Sequence, residues 1–364
     1  MKLKKVAKWT LLSLVIILVS LSAWGWLVTY HPAEVQSEPI ICSDQTPILS
    51  PGQKLKVLNW NVQFMAGKNY VFFYDLPDGS GPDERPSPED ITKTFNEVSR
   101  IIQDEKPDII LLQEVDDGAK RTDYEDQLAR LLALLPEEYS CYTSAFEWKA
   151  SFVPHPRIMG AVGLKIAIIS KYKITQATRY QLPLMPQPVT REFNLKRAVL
   201  EVHMPVENAT DFVVLNTHLE AFAQGTDILE KQVNQVESIL ENLTQEGYPW
   251  IIGGDFNLLP PGKAYGLLHE EQKKHYSQET EIEPLFEKYQ AVPSLSEVNS
   301  PDCEQWFTHF PNNPGVGKPD RTIDYIFLAN NITLEKHYVR QYDTLTISDH
   351  LPVLAEFELP SSPE

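Results

Sequence analysis

Cysteine is scarce in this 364-residue chain, which holds only Cys42, Cys141 and Cys303. No two of them stand at zinc-site spacing, so a structural zinc module is excluded. The odd count allows one disulfide and one thiol but does not pair them, and isolated structural cysteines are the expected reading. A second long apolar run is also missing, which excludes a polytopic transporter. Internal repeats and low-complexity tracts are absent as well. Positive charge is thin: 32 Lys and Arg stand against 50 Asp and Glu, a formal net charge of −18. The first thirty residues hold Lys2, Lys4, Lys5 and Lys8 and no acid, so the remainder carries −22. No basic run offsets this, and generic polyanion binding is disfavoured unless a local patch or a metal intervenes.

The N-terminus carries the one long apolar run. Trp9 to Tyr30 contains no charge and is rich in Leu, Val, Ile, Trp and Ala. An α-helix needs about 20 apolar residues to cross the hydrocarbon. Lysines precede the run, and His31, Glu34 and Glu38 follow it. The positive-inside rule then keeps the N-terminus cytoplasmic and places the rest on the far side, whether periplasmic, extracellular or lumenal. A cleaved signal peptide is the competitor. Its apolar core is usually shorter and ends in a small-x-small site, which Ser22-Ala23-Trp24-Gly25 matches poorly. The expectation is a single-pass signal anchor over 1–30, a polar linker over 31–53 and a catalytic domain over 54–360.

Within that domain, apolar runs that read as buried strands alternate with helical patterns. Ser87-Pro88-Glu89-Asp90 is a helix start, with an N-cap serine, proline at the first position and acids in the first turn. Ile91, Phe95, Val98, Ile101 and Ile102 line one face of that helix. A second helix is expected around 124–135. A third, over 227–243, buries Leu229, Val233, Val236, Leu240 and Leu243. Strands are expected near 54–62, 109–112, 139–146, 163–170, 195–203, 211–218, 250, 323–328 and 353–357. Helices among so many strands predict an α/β fold whose sheets are covered by helices.

Five short polar motifs close or follow apolar runs. They are Leu58-Asn59-Trp60-Asn61-Val62, Leu111-Leu112-Gln113-Glu114-Val115, Leu215-Asn216-Thr217-His218-Leu219, Ile251-Ile252-Gly253-Gly254-Asp255-Phe256-Asn257 and Ser348-Asp349-His350-Leu351-Pro352. Asp324 sits in a related setting, Thr322-Ile323-Asp324-Tyr325-Ile326. Strand ends are rigid yet face solvent. If these converge, they bring together carboxylates, two histidines and two amides, which suits Mg²⁺-assisted phosphate ester hydrolysis. Asp255 can hold a water and take its proton while Asn257 orients it. The glycines before them would let the chain turn and a substrate approach closely. The plain alternative is an ordinary turn. Glu114 can bind a hard cation, and Asn61 can contact metal or phosphate, although each alone reads equally as a solvated or capped strand end. His350 beside a carboxylate would be kept protonated and would stabilise developing charge. A lone histidine is more often structural, and His218 faces the same alternative.

Taken together, the order and context of these motifs resemble the endonuclease/exonuclease/phosphatase superfamily, which includes DNase I-like nucleases, neutral sphingomyelinases and inositol polyphosphate 5-phosphatases. The resemblance covers residues 55 to 359. It implies a DNase I-like two-sheet α/β sandwich with the site at one end. It implies Glu114 as main metal ligand with Asn61 beside it, and Asp349 as a metal-side or supporting carboxylate. Asp255 would activate the water with help from Asn257, Asp324 would partner His350, and His218 would contact a phosphate oxygen. One Mg²⁺, replaceable by Mn²⁺, is the expected cofactor.

Three features bear on substrate. The anchor holds the site near a bilayer, the Tyr70-Val71-Phe72-Phe73-Tyr74 cluster could enter an interface or simply pack, and the acidity opposes tight DNA binding. A lipid or lipid-linked phosphodiester is therefore expected over nucleic acid. An exported nuclease and a catalytically silent tethered module are the alternatives, and no protein partner is inferred. Arg157, Arg191, Lys196, Arg197 and Arg321 are the cations expected to meet an anion.

Overall fold

The structure is a computed structural model that describes residues 2–361 apart from 77, 222 and 224, with side chains described from residue 4. Met1 and the Lys2 side chain, part of the expected cytoplasmic tip, lie outside the described residues.

In chain order the strands are β1 (Val35–Ser37), β2 (Ile40–Cys42), β3 (Lys54–Asn61), β4 (Ile109–Asp116), β5 (Cys141–Val153), β6 (Gly160–Ser170) and β7 (Gln176–Gln181). Then follow β8 (Ala198–Met204), β9 (Phe212–His218), β10 (Trp250–Asp255), β11 (Gln290–Val292), β12 (Asp324–Leu328), β13 (Thr333–Val339) and β14 (Val353–Glu358). The longer helices are α1 (Lys2–Val28), α2 (Pro88–Glu105) and, after the short α3 (Gln127–Leu132) and α4 (Pro188–Phe193), α5 (Ile228–Gln245).

These strands form two seven-stranded sheets, ordered β1-β7-β8-β9-β10-β12-β11 and β13-β14-β3-β4-β6-β5-β2. The two-residue side-chain period decides what lies between them. Val57, Leu111, Ile166 and Ile168 join Leu200, Phe212, Val214 and Ile251 in a core between the sheets. Their chain neighbours Leu58, Trp60, Ile110, Leu112, Ala167 and Ile169 point the other way, onto Ile91, Phe95, Val98 and Ile102 of α2 and Leu128 and Leu131 of α3. On the opposite flank Val233, Val236 and Leu240 of α5 pack on the other sheet. This is the two-sheet α/β sandwich expected. The Ser87 cap is present, its side chain accepting from Asp90 N.

Polar bonds also cross the core. Gln113 Nε2 donates to Asn59 Oδ1 at 2.8 Å and to Asn216 Oδ1 at 2.7 Å. Asn216 Nδ2 returns bonds to Leu112 O and Ala167 O, and Asn59 Nδ2 reaches Gly254 O. Gln113 and Asn216, part of the motif pattern, thus tie sheet to sheet beneath the site.

Four expectations are corrected. The segment 31–53 is not free linker, because β1 pairs with β7, β2 pairs with β5 and Cys42 is disulfide-bonded to Cys141. That pairing also replaces the reading of isolated cysteines, while Cys303 stays free and buried. The 70–74 cluster mostly packs: Phe72 is buried against Phe64, with Tyr70 and Tyr74 beside it, and Tyr70 OH bonds Asp90 and Ser87 at the start of α2. Finally, Gly253 and Gly254 make no turn. They lie inside β10, where a Cβ on Gly254 would meet Thr217 O at 2.1 Å and one on Gly253 would meet Leu111 Cδ1 at 2.5 Å.

Helix α1 is long and apolar enough to cross a membrane, and its side chains are almost all exposed. Its last turn touches the domain. Trp24 packs on Phe152 and Phe193 with ring centroids 5.8 and 6.3 Å apart, and Thr29 Oγ1 donates to Glu192 of α4.

Candidate active site

Parallel pairing of β3 with β4 and of β9 with β10 brings the carboxyl ends of four strands to one end of the sandwich. Those ends carry Asn61, Glu114, His218 and Asp255. In the register of β10, Asp255 lies opposite His218 on β9 and Asp324 on β12. The loop after β13 adds Asp349 and His350. It is held by Ser348 Oγ donating to Asn61 O and by Trp60 Nε1 donating to His350 O. Asn257 is also local: its backbone N bonds Asp255 Oδ1 and its Nδ2 bonds Leu219 O. The expected site residues therefore meet in one place.

Asp255 is the centre of this arrangement. Its Oδ2 is 3.3 Å from His218 Nε2, 3.5 Å from His350 Nε2 and 3.1 Å from Asn61 Nδ2. Each imidazole is backed by a second carboxylate. Asp324 lies 2.9 Å from His350 Nδ1, and Glu147 lies 3.4 Å from His218 Nδ1, an ion-pair distance rather than a hydrogen bond. Burial opposes charge on His350, but Asp324 and Asp255 overcome it and hold the group up at about 10. Burial and Arg197 likewise oppose charge on His218, and Asp255 with Glu147 holds it up at about 9. Both rings are cations at neutral pH. Asp255 resists burial because His350 and His218 flank it, and its carboxyl is held far below the usual range. Burial and Asp255 push Asp324 up to about 6, still ionised at pH 7.

Glu114 sits with φ +57 at an irregularity in the pairing of β4 with β6, and Asn257 has φ +53. Left-handed backbone at a residue other than glycine is costly and gathers at functional sites. Here it turns Glu114 to the cavity, where Asn61 Nδ2 bonds its Oε1 at 3.2 Å. Asn61 Oδ1 accepts from Gln63 N, so its amide clamps the two carboxylates together. Burial raises the Asp349 carboxyl despite His350, and Glu114 and Asp255 raise it further. Glu114 and Asp349 face one cavity with only His350 and Lys68 lowering the Asp349 carboxyl, and such a carboxylate pair fits a divalent cation. Among the described residues, two groupings have metal-ligand spacing, His309 with Asp349 and His350, and Asp255 with Asp324 and His350. An oxygen-rich set without cysteine suits Mg²⁺ or Mn²⁺.

Glu114, His218, Asp255, Asn257, Asp349 and His350 line a cavity of about 700 Å³. Of the expected cations, Arg157, Arg197 and Arg321 reach it. Lys196 Nζ instead bonds Arg191 O, and neither of those two lines the cavity. Sequence reasoning missed Glu147, His309, Lys68 and Asp75. Glu147 had a signal, since Cys141, Thr143, Ala145 and Glu147 form the inward-facing row of β5 and only one member is charged. Burial, then His350, pushes His309 well below its ordinary range, so it is neutral. Lys68 Nζ donates to Phe310 O and Asn312 Oδ1, and burial lowers it to about 8. No signal marked Lys68 or Asp75, because loops from distant parts of the chain create their setting.

The chain matches the endonuclease/exonuclease/phosphatase family over residues 58–350. It belongs to that family. The site is that of a metal-dependent phosphoesterase. No curated protein matches the chain. Among solved structures, the endonuclease/exonuclease/phosphatase from Beutenbergia cavernae DSM 12333 is similar at 20% identity and TM-score 0.56, covering 85% of this chain and 73% of that one. ANGEL2, a 2′,3′-cyclic phosphatase solved with adenosine-2′,3′-vanadate, is similar at 15% identity and TM-score 0.53, covering 88% and 98%. The human Nocturnin catalytic domain with bound sulfate is similar at 18% identity and TM-score 0.50, covering 88% and 97%. At these identities the likeness is one of fold.

Proposed function

We propose that the chain hydrolyses phosphodiesters of nucleotides or nucleic acid by in-line attack of a water held on Asp255. The observation that carries this reading is the Asp255 carboxylate between two imidazolium rings, each backed by its own carboxylate. Asp255, ionised at every working pH, accepts the water's hydrogen bond and takes its proton as charge moves onto the phosphoryl oxygens. Asn257 fixes the Asp255 carboxylate. His218 and His350 donate to the phosphoryl oxygens where charge grows. Glu114 and Asp349, with Asn61 beside them, would hold Mg²⁺ or Mn²⁺. When bound, that cation neutralises and polarises the phosphoryl group.

The lipid preference expected from the sequence is corrected. Of the similar structures described above, ANGEL2 is named with a nucleotide analogue, adenosine-2′,3′-vanadate, in which vanadate stands in for a phosphate ester. Of the aromatic cluster that supported the lipid reading, Tyr70, Phe72 and Tyr74 are spent on packing.

We also propose that α1 is a single-pass anchor with the domain on the non-cytoplasmic side. The lysines before the span support this, as does the Cys42–Cys141 disulfide, which favours an oxidising compartment.

The test is Mg²⁺-dependent cleavage of RNA and DNA oligonucleotides by the full chain in detergent. Turnover should stop in excess EDTA, and Asp255→Ala should cut it by about 10²-fold or more. Undiminished turnover in EDTA, or near wild-type activity in Asp255→Ala at saturating metal, refutes the reading.

A further inference from the structure

The cavity that holds Asp255 extends well past the reacting centre. Its far wall is aromatic, built by Phe73 of the 65–87 insert, Trp148 and His155 of the β5–β6 hairpin and Phe193 of α4. Phe73 and His155 stack, with ring centroids 5.1 Å apart and planes at 25°. His155 is exposed and the other three are half-buried, so the wall remains available to a ligand. Arg157 lies over the Phe73 ring, 5.8 Å from its centroid, and Asn194 stands in the same lining.

We propose that this wall is a base-binding subsite, so that the substrate is a short or terminal nucleotide with one base stacked on the Phe73–His155 shelf and its scissile phosphate at His218 and His350. This rests on the nucleotide reading above. A volume of about 700 Å³ suits one or two nucleotides and no duplex. A formal charge of −18 with no basic run gives a long phosphate backbone nothing to follow, whereas a single phosphate needs only the local cations. The wall's chemistry separates a base from an acyl chain. Val153, Ile158, Val189 and Leu195 in the same lining would serve an acyl chain, but the flat Phe73–His155 stack with Arg157 and Asn194 beside it, whose polar groups match the edges of a heteroaromatic ring, is what a base uses. Stacking on such rings tolerates any base.

The full chain in detergent would be assayed with Mg²⁺ on thymidylyl-thymidine and on the same diester with both bases replaced by hydrogen. Wild type should show a KM about tenfold lower for the parent than for the abasic diester. His155→Ala and the milder Phe73→Leu should each raise the parent KM by about tenfold, leaving kcat and the abasic KM unchanged. His155→Trp, with a larger ring, should lower the parent KM. Equal KM for the two diesters in wild type, or equal losses on both in the variants, would assign the rings to packing and end the subsite while the nucleotide reading stands. Cleavage of a short-chain phosphodiester lipid with none of either dinucleotide would end both.

Discussion

Asp324→Asn isolates how the fold keeps His350 charged. The amide preserves the shape beside Thr308 but removes the charge 2.9 Å from His350 Nδ1. Asp324 is the foremost influence raising His350 against burial, so without it the ring falls from about 10 toward, or below, the ordinary value of about 6.5. Each unit corresponds to about 1.4 kcal/mol. A drop of about two units or more leaves the ring largely uncharged at pH 9, where wild type still holds its cation. The wild-type pH–rate profile should be bell-shaped. Its acid limb lies near 6, where Asp324 takes a proton, and its alkaline limb lies between about 9 and about 10, where His218 and His350 lose theirs. In Asp324→Asn the alkaline limb should move down to about 8 or lower, so the deficit grows with pH, to about tenfold or more at pH 9. Stability follows the same sign. A folded-state value above the unfolded one contributes stability that is full below about 6.5 and lost as pH rises through about 10. The variant should therefore lose more stability at pH 6 than at pH 10. The assay is kcat/KM from pH 5.5 to 10 at fixed Mg²⁺, with thermal melts alongside. An unmoved alkaline limb, or one loss factor at every pH, would refute the electrostatic role of Asp324.

Glu114→Gln should raise the Mg²⁺ concentration needed for half-maximal activity by about tenfold or more and leave the melting temperature without metal nearly unchanged; metal titrations decide it. Gly254→Ala should destabilise strongly, because a Cβ 2.1 Å from Thr217 O forces the paired strands apart, and calorimetry should show a large drop in melting temperature. Asn216→Leu should cost about 2–5 kcal/mol in urea unfolding, since it strands Leu112 O, Ala167 O and Gln113 Nε2 in the core. A stable Asn216→Leu protein would contradict the cross-sheet role.

The meeting of these residues was legible because Asn61, His218 and Asp255 end strands, and Asp324 opens one, whose apolar runs are themselves legible. Asp255, His218 and Asp324 fall in adjacent registers of one sheet, so strand pairing alone brings them together. The core helices were equally plain, as the apolar stripe of α2 lands on the sheet face its period demands. What escaped has physical causes. β13 is an edge strand carrying Glu335, Lys336 and His337, whose mostly polar, half-exposed pattern imitates a loop while discouraging edge-to-edge pairing. β1 and β2 span only three residues each, too few for a two-residue period to stand out. The second carboxylate of the His218 pair sits on β5, distant in sequence from every motif, and only the inward row of that strand marks it. The Gly253-Gly254 pair misled because glycine signals a turn and a close approach alike, and only the neighbouring Thr217 backbone tells which applies.

An acidic chain acting on an anionic ester needs its positive charge concentrated rather than spread. Here burial does the concentrating. His218 and His350, ordinarily half-charged or less at neutral pH, are made full cations by the carboxylates around them, and Arg197 and Arg321 line the same cavity. The carboxylates that create those cations would be a liability to a phosphate if they faced it. Glu147 and Asp324 do not, since each binds the Nδ1 side of its ring and leaves Nε2 toward Asp255 and the reacting centre. Glu114 and Asp349 do line the cavity, and they are the residues proposed to hold the divalent cation, which reverses the sign of their effect on a phosphate. Around the reacting centre, Glu147 and Asp324 are therefore screened from substrate by a ring, Glu114 and Asp349 would be answered by a metal, and Asp255 engages the attacking water, so the local field can attract a phosphoryl group that the surface as a whole repels.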